Sequence, residues 1–127
     1  MQITPRDHFL ARQSKRTTEE AIQRDVVRHL QVRAAPGTLY WHTPNGELRH
    51  KGTAGKLKAM GTLAGMPDLM LLRNGELYAL ELKRDGGRLS DAQRLRLEQL
   101  AAAGAQTAVA YGLDAALKVL KGWGLIR

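Results

Sequence analysis

Apolar and polar positions along this chain alternate with two periods. Glu19, Ile22, Gln23, Val26, Leu30 and Arg33 recur at three- and four-residue spacing, the stripe of an amphipathic helix. Thr17 and Glu20 have the spacing of a capping box, which predicts a start near Thr17, and Ala35-Pro36-Gly37 stops the helix. Leu39-Tyr40-Trp41-His42 reads as a strand ended by Thr43-Pro44-Asn45-Gly46, and Ala54 to Met60 as a short helix between glycines. Two apolar strands follow, joined at Asn74-Gly75. Ser90-Asp91-Ala92-Gln93 is a second capping box, opening a helix to about Ala103 with Leu95, Leu97 and Leu100 turned mostly inward and Gly104 as its stop. Gln106 to Tyr111 is a last strand, Asp114 to Lys121 a short helix, and Trp123-Gly124-Leu125-Ile126 closes against the body. This order predicts an α/β fold: a mixed sheet of about four strands flanked by helices. Residues 1–16 have no clear period and read as a basic arm ahead of a single domain, 17–127.

The two central strands carry the chemistry. Asn-Gly readily takes the positive φ values of a type I′ turn. With those two residues as the loop, Arg73 pairs with Glu76, and counting back gives Leu72–Leu77, Leu71–Tyr78, Met70–Ala79, Leu69–Leu80 and Asp68–Glu81. Cβ atoms of facing residues lie roughly 4.5–5.5 Å apart, so two carboxylates end opposite each other and repel. A hard divalent cation reverses that sign. Alternation puts Lys83 on the face of Glu81, with Leu80 and Leu82 on the other.

A third acid sits on the first helix. Glu19 falls inside the inward arc, where an unpaired charge is costly, which makes it a candidate ligand, whereas Glu20 is assigned to capping. Placement in a helix's first turn, favoured by the helix dipole, accounts for Glu19 equally well. His42 and Asn45, where a strand meets a turn, are placed to meet phosphate or metal-bound water, although a solvated turn explains them too. Gly55-Lys56 is not a phosphate-binding P-loop: the spacing fails and Leu57 stands where Ser or Thr belongs. Lys51, Lys56 and Lys58 are instead suited to touch a phosphate backbone, giving affinity without sequence reading.

Composition narrows the partner. A formal charge of +8 and a pI near 10.3 point to a polyanion, most simply nucleic acid. One Phe, two Trp and three Tyr give little support for a base-stacking platform. The absence of cysteine removes disulfides, thiolate metal sites and cysteine nucleophiles, and the four histidines lack metal-ligand spacing. With no apolar run of membrane length and no signal peptide, the expectation is a cytoplasmic protein, in the bacterial host if phage-encoded.

Pro67-Asp68 followed by Glu81-Leu82-Lys83 resembles the signature of the PD-(D/E)XK nuclease superfamily. The resemblance narrows with Thr18-Glu19-Glu20-Ala21-Ile22-Gln23, Trp41-His42-Thr43-Pro44-Asn45-Gly46, Lys56-Leu57-Lys58-Ala59-Met60-Gly61, Ala64-Gly65-Met66-Pro67-Asp68-Leu69 and Gly87-Arg88-Leu89-Ser90-Asp91-Ala92-Gln93. In that order these are similar to the stand-alone VRR-NUC domains of phages and bacteria, related to the catalytic part of the Fanconi-associated nuclease. The resemblance implies a restriction-endonuclease-like α-β-β-β-α-β core and a Mg²⁺- or Mn²⁺-dependent DNA endonuclease. It implies Glu19, Asp68 and Glu81 as metal-binding acids, with the Leu82 carbonyl beside them, Lys83 as the catalytic lysine, and Gln93 as a matching glutamine. Arg88 joins Lys51, Lys56, Lys58, Asn45 and Gln93 as a candidate nucleic-acid contact. Small family members resemble Holliday-junction resolvases and act as homodimers, which is the expectation for this chain. A nickase or flap nuclease of the same fold, or a non-catalytic basic DNA-binding module, are the alternatives.

Overall fold

The computed structural model describes residues 17–44 and 51–127. They form helix α1 (Glu19–Arg33), strand β1 (Leu39–Trp41), helix α2 (Lys51–Ala59), strands β2 (Leu69–Arg73) and β3 (Glu76–Lys83), helix α3 (Asp91–Ala102), strand β4 (Gln106–Tyr111) and helix α4 (Leu113–Gly122). The strands make one sheet in the order β1-β2-β3-β4. β1, β2 and β3 pair antiparallel, and β4 runs parallel to β3. A parallel neighbour needs a crossover, and α3 provides it. This is the mixed, helix-flanked sheet that the pattern predicts. The basic arm expected over residues 1–16, and Asn45, lie outside the described residues.

The hairpin has the expected register. Asn74 (φ 52°) and Gly75 (φ 79°) both take positive φ, as a type I′ turn requires. Pairing runs from Arg73↔Glu76 to Leu69↔Leu80, so Asp68 lies one residue past the ladder, level with Glu81. Leu69, Leu71, Tyr78, Leu80 and Leu82 form one buried row against Ile22, Val26 and Leu30 of α1 and Ala116 and Leu120 of α4. Each fully buried leucine contributes about 1.5–3 kcal/mol, so this row decides which face of β3 is left for Glu81 and Lys83. The tail seals the core: Leu125 and Ile126 are buried, Ile126 bridges Ala34, and Trp123 packs on Tyr78 with ring centroids 5.1 Å apart.

Several local expectations are corrected. The α1 cap is Thr18, whose Oγ1 accepts the Ala21 N–H at 3.0 Å, and Glu20 pairs with Arg24 at 2.8 Å instead of capping. Two adjacent threonines made the choice ambiguous; Thr18 holds the extended backbone that a cap needs (φ −87°, ψ 160°). β1 stops at Trp41, one residue short, and α2 begins at Lys51, three residues before Ala54. Leu95 is 46% exposed, so Leu97 is the leucine of α3 that reaches the core. The Ser90–Gln93 capping box is present as expected, in both directions.

Candidate active site

The hairpin delivers Asp68 and Glu81 to one end of the sheet, and each is fixed by its own support. Pro67 is fully buried ahead of Asp68. Two residues earlier, Gly65 (φ 79°) runs so close to α3 that a Cβ there would lie 2.6 Å from the backbone carbon of Ala92. The Asp68 carboxylate, through Oδ2, accepts the Leu82 N–H at 2.8 Å. That bond uses the edge of β3 that β2 has vacated. The Lys83 carbonyl accepts the Gly112 N–H at 2.9 Å on the β4 side. Strand alternation therefore directs the Leu82 carbonyl to the same edge as Asp68.

Glu81 is 1% exposed. Its Oε1 accepts from Gln93 Nε2 at 3.3 Å, while Gln93 Oε1 accepts the Ser90 N–H at 2.9 Å. The capping box thus fixes the amide orientation: its oxygen closes the helix terminus and its nitrogen is left for the carboxylate. Gln93 serves both as a cap and as a support for Glu81. The other oxygen, Glu81 Oε2, is buried with no hydrogen-bond partner. Burial first, then the facing Asp68 carboxylate, which favours the protonated form and repels the ionised one, push the Glu81 carboxyl up to about 9, with Lys83 opposing. At neutral pH without a cation, the Glu81 carboxyl keeps its proton.

Lys83 is 5% exposed and lies between two acids, 3.8 Å from Glu19 Oε1 and 3.9 Å from Glu81 Oε1. Glu19 reaches it from α1 and is held by the Arg84 N–H, which donates to Oε2 at 3.3 Å. Gly87 makes room: a Cβ there would stand 3.1 Å from Glu19 Oε2. The position of Glu19 in the first turn of α1 is therefore joined to a tertiary role as the partner of Lys83.

Glu19 and Asp68 open onto a cleft of about 670 Å³ that also exposes Gln23, Arg24, Arg28 and His42. His42 Nδ1 lies 2.7 Å from the Asp68 carbonyl oxygen. A carbonyl only accepts, so Nδ1 carries the proton and Nε2 is left for the cleft. Arg24 and Arg28, on the outer face of α1, escaped sequence reading because they belong to no motif; only their one-turn spacing hints at a shared face. The peripheral candidates differ. Lys56 and Lys58 are exposed at the end of α2, and Arg88 is exposed in the β3–α3 link. Lys51 opens α2.

Among the described residues no three His, Asp or Glu side chains converge as a ready-made metal cluster. The Asp68–Glu81 pair nevertheless fits a hard divalent cation. It offers carboxylate oxygens, one of them buried without a donor, beside a backbone carbonyl. Mg²⁺ commonly uses only one or two carboxylates and fills its octahedron with water and phosphate.

Comparison with known proteins identifies the family and the fold. The family model for the VRR-NUC domain matches residues 17–114. The chain belongs to the VRR-NUC family. A solved VRR_NUC domain protein shares 30% sequence identity with it over 84% of this chain and 88% of that one, with a TM-score of 0.71. No curated protein matches the chain. The match makes this VRR-NUC chain a nuclease domain, consistent with the PD-(D/E)XK superfamily, and the matched span contains Glu19, Asp68, Glu81, Lys83 and Gln93. Among its described residues no helix is long and apolar enough to cross a membrane.

Proposed function

We propose that this VRR-NUC chain hydrolyses phosphodiester bonds of branched DNA with Mg²⁺ or Mn²⁺, as a resolvase-like endonuclease working as a homodimer. The observation that carries the reading is the facing pair Asp68–Glu81, one acid buried, an oxygen unsatisfied and its ionisation suppressed. A binding protein gains nothing from acids placed where phosphate must come. Asp68, Glu81 and the Leu82 carbonyl would hold the cation, with Glu19 beside them. When bound, the cation supplies Lewis acidity to the phosphate and lowers the pKa of a water. Lys83 orients the attacking oxygen and offsets negative charge as it develops on the phosphoryl oxygens. Glu19 holds the Lys83 ammonium in place, Gln93 orients Glu81, and His42 presents Nε2 towards the strand in the cleft. Exposed lysines of α2 and Arg88 add sequence-independent affinity.

A paired arrangement is supported by the edge strand β1. Leu39 and its cross-strand partner Leu72 are 60% and 36% exposed, and Trp41 on the same sheet face is 39% exposed. An apolar row beside a strand edge that has no partner among the described residues is a surface that a second copy would cover.

The test is incubation of the purified protein with labelled four-way junction, flap, linear duplex and single strand, in Mg²⁺, Mn²⁺ or EDTA. The expected result is symmetric paired nicks in the junction with either metal and none in EDTA. Asp68→Asn and Lys83→Ala are expected to abolish cutting while DNA binding in EDTA largely survives. Cutting at the parent rate by both variants would overturn the site. Nicks confined to flaps or duplex would overturn the junction preference.

A further inference from the structure

A second groove, of about 820 Å³, begins where the first cleft ends: Glu19 lines the cleft, Arg84 lines the groove, and the two residues are joined by a hydrogen bond. Ile22 and Leu113 give the groove apolar wall, and Asp25, Arg84 and Asp85 are its charged residues. Tyr111 also lines it and is 48% exposed. In the parallel pair of β3 and β4, Tyr111 is the register partner of Lys83, which places an exposed aromatic residue immediately beside the lysine of the proposed active site. Nothing in the nuclease mechanism uses it.

The charges decide what kind of group fits. Asp25 is spent on Arg28, 3.1 Å away, which leaves Asp85 as the groove's acceptor and Arg84 as its cation. Together they suit a nucleotide, whose base offers amino and ring N–H donors at its edge and a π-face to an aromatic ring, and whose phosphate offers an anion. The groove volume falls within the range of small-molecule pockets and is ample for one nucleoside. We infer that this groove receives an unpaired nucleobase next to the scissile phosphate, stacked on Tyr111 with its polar edge towards Asp85 and its flanking phosphate near Arg84. The inference rests on the nuclease reading and gives it a source of structure specificity. A base can enter only when it is out of the helical stack, and the cost of removing it is smallest where it is already unpaired, as at a branch, bulge or gap.

The test pairs an enzyme change with a substrate change. Duplexes carrying one unpaired adenine at successive positions around the cut are compared with the same duplexes carrying an abasic residue there. The parameters are kcat/KM in Mg²⁺ and Kd in EDTA, with 2-aminopurine fluorescence reporting stacking. At one position, removal of the base is expected to cost the parent enzyme about tenfold, Tyr111→Leu the same, and the two together no more than either alone. Tyr111→Phe is expected to keep the base preference. Indifference to the abasic residue at every position, or independent losses that multiply, would overturn the groove assignment. If none of these DNAs is cut, the nuclease reading fails, and the metal-free binding arm still judges the groove.

Discussion

Glu81→Gln separates stability from catalysis in this fold. The carboxyl has a reference value of 4.5 and is pushed up to about 9 in the folded chain, chiefly by burial. An acid whose folded value lies above its unfolded value makes folding less favourable as pH rises. The penalty is absent below 4.5, grows by about 1.4 kcal/mol per pH unit up to 9, and is constant above it. Two and a half such units separate 4.5 from pH 7, so Glu81 costs the metal-free fold about 3 kcal/mol there, to order of magnitude. Glutamine reproduces the neutral acid: its oxygen can accept from Gln93, and its amide N–H can take the place of the Glu81 proton. Metal-free Glu81→Gln should therefore be inactive yet more stable than the parent at pH 7–9, with the two converging near pH 5. Urea unfolding in EDTA across pH 5–9 measures the difference. A cation that takes the ionised carboxylate must also expel its proton. Calorimetry in buffers of different ionisation heat should read close to one proton released per bound Mn²⁺ at pH 7, falling away above pH 9. A stability difference that does not change with pH, together with no proton release, would show that Glu81 is already ionised and refute the reasoning.

The remaining predictions concern the supports. His42→Asn can keep the N–H donated to the Asp68 carbonyl while deleting Nε2, and His42→Gln does the reverse. If Nε2 meets substrate, the Asn variant loses kcat/KM and the Gln variant retains more of it; the opposite order would reduce His42 to a strut for Asp68. Gly65→Ala must fit a Cβ 2.6 Å from backbone at positive φ, so it should lose roughly 2–4 kcal/mol in urea unfolding, and activity with it, because both Asp68 and Gln93 are displaced. Gln93→Ala should cost about 1 kcal/mol for the lost cap. It should also slow cleavage beyond what a Ser90→Ala cap deletion does; equal slowing by both would mean that Gln93 acts only as a cap.

The hairpin was legible in the sequence because one dipeptide fixed its turn and a buried leucine row fixed its face, so counting alone placed Asp68 level with Glu81. The second capping box was legible for the same reason: both partners lie within one helical turn. What sequence reading missed depends on distance along the chain. No local rule says that Gln93 spends only its oxygen on the cap, that Gly87 clears a path for Glu19, or that the His42 ring meets a carbonyl 26 residues away. The Thr17/Thr18 ambiguity and the outward turn of Leu95 are single-residue choices that packing settles after local preference has left them open. Tyr111 read as an ordinary strand residue because its significance comes from its neighbour on β3.

The Asn74-Gly75 turn sits six residues from Glu81, about 20 Å along an extended strand. Because side chains alternate, a slip of one position at that turn would exchange Glu81 and Lys83 for Leu80 and Leu82 at the far end. The turn therefore works as a distant gauge for the reaction centre. A random-variant screen for lost cleavage should recover changes in this solvent-facing dipeptide alongside those in the acids themselves, although it lies at the opposite end of the hairpin.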